Sequence, residues 1–208
     1  MLLITSDDPT VRDGVKRVLP MHQFDDPPGE DERALVARIA LGDRWALETL
    51  YERCRGPLFA YCCWLMPERE SAEEVLQDTL VAVWQSAGSY AGHAGVWAWL
   101  LGIARRQAHN ARRRGRLAFA EGEDLEMLET PEPGPEEEAL DRAGCAAIAQ
   151  AIALLSPPHK EILRLTFVHD LSYAGLAETL GVPIGTVKSR LSLARRELRA
   201  VLGGGERP

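Results

Sequence analysis

The sequence predicts an all-α protein made of two small helical domains joined by an acidic flexible linker. Apolar residues recur at helical spacing through residues 30–116 and again through residues 140–202, as in helices that pack on one face. A short strand-like pattern is confined to residues 2–5. Between the two helical stretches, prolines and many acids leave too little apolar surface for independent folding.

These patterns divide the chain into five segments. Residues 1–29 end in Asp25-Asp26-Pro27-Pro28-Gly29, which breaks regular structure, so we expect an N-terminal extension without a fixed fold. The first domain covers residues 30–116, the linker 117–139, the second domain 140–202 and a short tail 203–208.

The composition of the 208-residue chain is that of a globular protein, since 46% of its residues are apolar and 26% are charged. Its longest apolar runs are far shorter than the ~20 residues that a membrane-spanning helix needs, and no signal-peptide pattern opens the chain. The four cysteines have neither zinc-binding spacing nor the pattern of a disulfide framework. We therefore expect a soluble protein of the reducing cytoplasm without a membrane insertion.

The net charge of −7 conceals two basic regions. Ten acids and no basic residue lie from Glu121 to Asp141, and without those ten the formal charge is +3. Residues 105–116 contain six arginines and no acid, and residues 184–200 contain five lysines and arginines against Glu197. This distribution predicts contact with a polyanion at two separate places, with solvated charged faces as the alternative.

The first two helices of the first domain follow from apolar spacing. One is expected over residues 31–41 with Leu35 and Ile39 inward, and the next begins near Asp43. Pro57 should interrupt or kink this second helix, because proline has no amide hydrogen to donate.

A third helix is expected to begin at Ser71, whose hydroxyl can accept from the amide of Glu74. Its buried stripe is predicted to be Val75, Leu76, Thr79 and Val83. A glycine-rich loop then covers residues 88–95.

The last helix of the first domain, residues 96–114, has two contrasting stripes. Leu100, Ala104, Ala108 and Ala111 form the apolar stripe, and Trp99, Arg106, Asn110 and Arg113 form the aromatic and basic one. Rings that stack on bases and guanidinium groups that pair with phosphates suit an unpaired nucleic-acid strand. Trp97 and Trp99 are equally consistent with core positions.

The second domain predicts a helix-turn-helix. A short helix over residues 171–180 has Ser172 as N-cap and buries Leu176, Ala177 and Leu180, and Gly181-Val182-Pro183 forms the turn. The next helix has a core face of Ile184, Val187, Leu191, Ala194 and Leu198. Its opposite face carries Gly185, Ser189, Ser192, Leu193 and Arg196, flanked by Lys188, Arg190, Arg195 and Arg199. Such a face can enter the major groove, with a plain helical hairpin as the alternative.

The titratable residues do not suggest an enzyme. No paired carboxylates, nucleophile–base set or phosphate-binding loop occurs, so we expect no catalytic residue, no cofactor and no small-molecule substrate. The five histidines have no ligand spacing, so we expect no metal. Cys54 and Cys62 lie at a spacing that favours burial in the core.

Two sets of motifs resemble the extracytoplasmic-function (ECF, group IV) RNA polymerase sigma factors of the sigma-70 family. Leu155-Ser156-Pro157-Pro158, Leu171-Ser172-Tyr173 and the run from Leu180 to Leu191 are similar to region 4 of that family. The run from Ala72 to Thr79 with Val83-Trp84 is similar to the polymerase-docking segment of region 2. Trp99-Leu100 with Ile103-Ala104-Arg105 resembles the helix that melts and reads the −10 element.

The resemblance implies three groups of site residues. Those for the −35 element are Ser172, Tyr173, Thr186, Lys188, Ser189, Arg190, Ser192, Leu193, Arg195 and Arg196. Those for the −10 element are Trp99, Arg105, Arg106, Asn110, Arg112 and Arg113. Those that dock on the coiled coil of the largest polymerase subunit are Glu74, Val75, Gln77 and Asp78.

The chain departs from the family pattern at three of these positions. Arg106 stands where the family commonly has Asn, Asn110 where it has Asp, and Leu193 where it very often has Arg. An arginine can bond guanine bidentately, whereas a leucine can pack on a thymine methyl. If the helix docks as it does in the family, we therefore expect the protein to tolerate or prefer a thymine step in the −35 element where relatives read guanine.

The resemblance implies a sigma factor that binds RNA polymerase core and directs promoter recognition and transcription initiation for a stress or environmental response. It also implies an anti-sigma factor as a partner. From their charge alone, we expect the ten linker acids to weaken DNA binding by folding back onto the basic helices, with a flexible solvated tether as the alternative. Two other classes stay open on the residues alone. A stand-alone helix-turn-helix regulator leaves the first domain unexplained, and a helical protein-interaction adaptor leaves both basic helices unexplained.

Overall fold

The computed structural model describes residues 31–118 and 151–203, and the chain divides into two compact units centred on these ranges. The prediction of an all-α fold with two helical domains is confirmed, since the described residues contain helices, turns and loops and no strand. The first unit contains α1 (Glu32–Ala40), α2 (Arg44–Leu65), α3 (Arg69–Ser86), a 3-10 turn (Ala87–Ser89) and α4 (Val96–Ala118). The second contains α5 (Pro157–Phe167), α6 (Tyr173–Leu180) and α7 (Ile184–Gly203).

Several expectations fall outside the described residues. These are the N-terminal extension with its strand-like residues 2–5, nearly all of the acidic linker, the start of the second domain and the tail. Within residues 31–118 and 151–203, no helix is both long and apolar enough to cross a membrane.

Two aspartates cap the first two helices. The Asp31 carboxylate accepts from the amide of Arg33 at 3.2 Å, and the Asp43 carboxylate accepts from the amides of Trp45 and Ala46 at 3.0 and 3.3 Å. The Arg38 guanidinium also donates to Asp43 at 2.6 Å, and this hydrogen bond is the main reason that the pKa of Asp43 is lowered. The predicted start of the second helix near Asp43 is therefore confirmed.

Pro57 does not interrupt α2, which runs unbroken from Arg44 to Leu65 with the proline inside it, and the alternative of a kink stays a prediction. Proline removes one helical hydrogen bond. The buried residues on both sides of Pro57 share one face, since Leu50 and Cys54 precede it and Leu58 and Tyr61 follow it. Packing of this face outweighs the local preference of one residue.

The predicted N-cap at Ser71 is wrong. Helix α3 begins at Arg69, Glu68 occupies the N-cap without a side-chain hydrogen bond, and Ser71 lies inside the helix. The first turn is held from the side, because the Arg69 guanidinium pairs with Glu73 at 3.0 Å and lies over the Phe59 ring. These contacts hold Arg69, the first residue of α3, which a helix capped by Ser71 would leave outside.

The core of the first unit lies where α3 packs against α2 and α4. The predicted stripe of α3 is confirmed as buried, and Thr79 donates its hydroxyl to the Val75 carbonyl at 2.7 Å. On α4, Leu100, Ala104 and Ala108 are buried, whereas Ala111 is half-buried. Cys54 and Cys62 are buried as predicted, and burial raises the pKa of each thiol to about 12.

The second unit has the helix-turn-helix predicted for it. The Ser172 hydroxyl accepts from the Gly175 amide at 3.1 Å, as an N-cap does, and Gly181 turns the chain with a φ of +65°. Helix α5 packs against α7. Their buried side chains include Ile162, Leu163, Leu165, Val187, Leu191, Ala194 and Leu198.

Two core assignments in the second unit differ from the prediction. Ile184 is 46% exposed, because it is the first residue of α7 and precedes the turn that packs against α5. Ala177 is half-buried, while Leu176 and Leu180 are buried as expected.

Candidate nucleic-acid and protein interfaces

The exposed face of α4 brings together four of the six residues predicted for the −10 element. At about 100° per residue, Trp99, Arg106, Asn110 and Arg113 lie within about 60° of one another around the helix. The last three side chains are exposed, and Trp99 is half-buried. We call these four residues the α4 stripe.

The aromatic end of the α4 stripe is held by the preceding loop. The Tyr90 ring packs against the Trp99 ring with 5.0 Å between centroids, and the Tyr90 hydroxyl donates to the Ala94 carbonyl at 2.6 Å. Desolvation raises the pKa of that hydroxyl. Trp97 and Trp99 are both half-buried, so Trp99 supports the loop while part of its ring stays accessible.

Arg105 and Arg112 do not join the α4 stripe, since both lie more than about 100° from its centre. The Arg112 guanidinium instead donates to the Leu65 carbonyl, at the end of α2. A cation at a helix C-terminus satisfies a carbonyl that has no partner within the helix. His109, which was not singled out from the sequence, is exposed three residues after Arg106 and borders the stripe.

The exposed face of α3 carries three of the four residues predicted for polymerase docking. Glu74 and Gln77 are exposed, and Asp78 is half-buried. Val75 is 0% exposed, so it supports this face from the core and cannot touch a partner in this conformation. Val81 is 56% exposed and lies between Glu74 and Gln77 around the helix. We call Glu74, Gln77, Asp78 and Val81 the α3 face. Val81 follows Gln77 by four residues and Asp78 by three, so helical spacing could have identified it from the sequence.

An open groove of about 460 Å³ borders the α3 face between α2 and α3. Gln77 belongs to both, so the groove continues the exposed surface. Its apolar lining includes Tyr51, Phe59, Leu76 and Leu80, and its charged lining includes Arg55, Arg69 and Glu73. Such a groove suits an apolar side chain of a protein partner that also presents charged groups.

Helix α7 presents small, apolar and basic side chains opposite its core face. Ser189, Ser192, Leu193 and Arg196 are exposed and lie within about 100° of one another. Lys188 is exposed at one edge, and Thr186, Arg190 and Arg195 are half-buried. The Ser189 hydroxyl donates to the Thr186 carbonyl at 3.0 Å, which leaves its oxygen available as an acceptor. We call Ser189, Ser192, Leu193 and Arg196 the α7 face.

The single acid of residues 184–200 is turned away from the α7 face. Glu197 contacts Nδ1 of His159 on α5, about 90° around α7 from the centre of that face. A carboxylate in that position is kept away from a polyanion that approaches the basic residues. The His159 ring and the Glu197 carboxylate also tie α5 to α7.

The remaining two residues predicted for the −35 element lie at the start of α6. Ser172 is exposed, although its hydroxyl accepts from the Gly175 amide, and Tyr173 is 43% exposed. Within residues 31–118 and 151–203, no cluster of three or more His, Cys, Asp or Glu side chains is placed to hold a metal ion.

Comparison with known proteins assigns both units to one family. The model for Sigma-70 region 2 matches residues 50–117, and the model for Sigma-70, region 4 matches residues 145–198. The chain is 34% identical over 175 residues to the ECF RNA polymerase sigma factor SigL of Mycobacterium tuberculosis, with 81% of this chain and 96% of SigL covered. It is 30% identical over 179 residues to the ECF RNA polymerase sigma factor SigK of Mycobacterium sp. (strain KMS), with 83% and 91% covered.

A solved structure agrees with these sequence matches. The chain resembles the sigma factor RpoE of Bartonella quintana, determined in complex with the anti-sigma factor NepR, with a TM-score of 0.58 and 27% identity. The match covers 75% of this chain and 96% of that one.

Proposed function

The chain belongs to the ECF RNA polymerase sigma factors of the sigma-70 family, and from this premise we propose which of its surfaces bind polymerase and which bind the promoter. As a member of that family it is a transcription initiation factor and not an enzyme. The alternatives of a stand-alone regulator and of a protein adaptor are not favoured, because both regions of the family are present.

The observation that carries the assignment is the separation of charge within the first unit. The α3 face carries two acids around Val81, whereas the α4 stripe carries two arginines and an asparagine beside Trp99. One folded unit thus has one surface suited to a basic protein and another suited to a nucleic-acid strand.

We assign the α3 face, together with its adjoining groove, to docking on RNA polymerase core. Glu74 and Asp78 would meet basic residues of polymerase, Gln77 would exchange hydrogen bonds, and Val81 would supply apolar contact. Val75 has an indirect role, because its buried side chain packs in the core and holds α3 in place beneath the exposed α3 face.

We assign the α4 stripe to the unpaired strand of the −10 element. Trp99 would stack on a base, and Arg106 and Arg113 would contact phosphates. Arg105 and Arg112 contribute positive charge to the region, but their positions off the stripe make them weaker candidates for direct contact.

We assign the α7 face to the major groove of the −35 element. Ser189, Ser192, Leu193 and Arg196 would meet base edges, and Lys188, Arg190 and Arg195 would meet the phosphates on either side. Ser172, Tyr173 and Thr186 would contact the backbone at the N-terminal ends of the two helices.

Further proposals concern the setting of this activity. We place the protein in the cytoplasm with RNA polymerase, and we propose an anti-sigma factor as its regulator, which the RpoE–NepR complex supports. We keep the domain boundaries at 30–116 and 140–202, joined by a linker at 117–139 whose first two residues continue α4. We also propose that the protein serves a stress or environmental response.

The assignment is tested with purified protein, polymerase core and a library of promoter sequences. We expect specific initiation to require both the protein and core, with enrichment of a −35 and a −10 element. Val81→Asp should weaken binding to core, because it places a charge in the apolar contact, and Val81→Leu should preserve it. Initiation that does not depend on added protein, or duplex binding of full specificity without core, would contradict the proposal.

A further inference from the structure

An ion pair joins the α3 face to the basic helix α4. The Arg114 guanidinium donates to the Asp78 carboxylate at 3.0 Å, across 36 residues of sequence. The Arg114 side chain is 63% exposed to solvent and the Asp78 side chain is 39% exposed. The pair therefore lies at the surface, where another charged group can reach either partner.

The two partners of this pair border different surfaces. Asp78 belongs to the α3 face, one turn after Glu74. Arg114 lies four residues after Asn110 and about 40° from it around α4, so it borders the α4 stripe. One contact thus connects the surface assigned to polymerase with the surface assigned to DNA.

The pair is not needed to hold α3 against α4. These helices pack through buried side chains that include Val75, Val83 and Leu100, each at most 1% exposed. An exposed ion pair adds little to stability, because water and salt screen both charges. A contact of this strength can be exchanged for another without unfolding the unit.

We propose that Arg114 is a further promoter-contacting residue, and that Asp78 holds it until RNA polymerase engages the Asp78 carboxylate. The proposal rests on the functions proposed above for the α3 face and the α4 stripe. When a basic group of polymerase pairs with Asp78, Arg114 loses its partner and is repelled by that like charge. Its guanidinium can then pair with the phosphates of a strand bound along the α4 stripe.

The exchange makes polymerase binding and DNA binding favour each other. Each ligand selects the state in which the pair is open, and linkage requires the effect to be equal in both directions. In the free protein, Asp78 therefore lowers the affinity for DNA. In the same way, Arg114 lowers the affinity for polymerase core.

The first test is a double-mutant cycle on the free, full-length protein. Fluorescence anisotropy measures binding to a labelled single-stranded oligonucleotide at low salt for wild type, Asp78→Asn, Arg114→Gln and the double variant. Glu74→Gln is the matched control, because it removes the same charge from α3 one turn earlier. We expect Asp78→Asn to tighten binding about two- to five-fold beyond the control, as suits a weak exposed pair, and to lose this excess in the Arg114→Gln background.

The second test measures association with polymerase core in the absence of DNA. We expect Arg114→Gln to tighten binding to core by a similar factor, because Asp78 loses its internal competitor, and Arg114→Lys, which keeps the charge, to behave like wild type. Weaker binding of Arg114→Gln would mean that Arg114 is itself part of the docking surface, and this would overturn the proposal. An equal effect of Asp78→Asn with and without Arg114 would overturn it as well.

These outcomes are distinct from a failure of the proposed function. If wild-type protein does not bind core or direct initiation, the functional assignment is wrong, whatever the cycle on free protein gives. Thermal unfolding of each variant separates folding from binding, and Tm values close to wild type are expected because the pair is exposed.

Discussion

Replacing Leu193 by arginine should change the base preference of this protein at one position of its −35 element. Leu193 is 42% exposed on the side of α7 opposite its core, about 40° from Ser189 and about 60° from Arg196. A guanidinium at that position can reach the O6 and N7 atoms of a guanine, whereas leucine can only contact a thymine methyl.

The magnitude follows from what the substitution adds and removes. A bidentate contact to guanine discriminates against the wrong base by about 1–3 kcal/mol, which corresponds to a factor of about 5 to 150. Loss of one methyl contact removes about 0.8 kcal/mol of preference for thymine. The fold should tolerate the change, because Leu193 lies outside the core and the aliphatic part of arginine covers a similar surface.

The assay is selection of −35 elements from a randomised library by holoenzyme assembled with wild type or Leu193→Arg, followed by sequencing. Ala153→Arg is the control for added charge, since Ala153 is exposed outside the helix-turn-helix. Lys188→Ala should weaken binding to all sequences evenly, as loss of a phosphate contact does. Identical base preferences for wild type and Leu193→Arg would refute the proposed orientation of α7 on DNA.

Three further predictions concern the first unit. Asp78→Lys should weaken association with polymerase core by placing like charge against a basic surface, and unchanged competition for core would exclude α3 as the docking face. Arg106→Ala should reduce the slope of log affinity for single-stranded DNA against log salt concentration by about 0.7, because one phosphate contact is lost. Arg112→Ala should instead lower the free energy of unfolding by about 1 kcal/mol, because the hydrogen bond to the Leu65 carbonyl at the end of α2 is lost. The free energy of unfolding should fall as pH rises above about 9, because the thiols of Cys54 and Cys62 have a pKa of about 12 when folded and 9.0 otherwise. Urea unfolding at a series of pH values measures this fall in wild type and in the double variant Cys54→Ala, Cys62→Ala. In the variant, the free energy of unfolding should fall less steeply with pH, by up to about 1.4 kcal/mol per pH unit for each thiol removed. Equal slopes in the two proteins would contradict the burial of these thiols.

Apolar periodicity by itself determined the fold class and the helix-turn-helix. Val187, Leu191, Ala194 and Leu198 recur at helical spacing because one side of α7 must be buried, so the opposite side was also predictable. The same reasoning placed Trp99, Arg106, Asn110 and Arg113 on one face of α4. Spacing within one helix depends on the geometry of that helix alone.

Local start and stop signals were less informative. Pro57 and Ser71 have strong individual preferences, yet α2 continues through the first and α3 begins before the second. In both places packing and side-chain contacts between α2 and α3 outweigh the preference of one residue. Apolar spacing predicted the burial of Val75, and the structure confirms it, although the family motif includes this residue in the docking segment.

The tertiary structure decided which protein groups two arginines of one basic run contact. Residues 105–116 contain six arginines, and the sequence alone does not show which groups of the folded protein each of them contacts. Arg112 donates to the Leu65 carbonyl, 47 residues away, and Arg114 pairs with Asp78, 36 residues away. Contacts over such separations depend on how α2, α3 and α4 pack, and no spacing rule within a single helix contains that information.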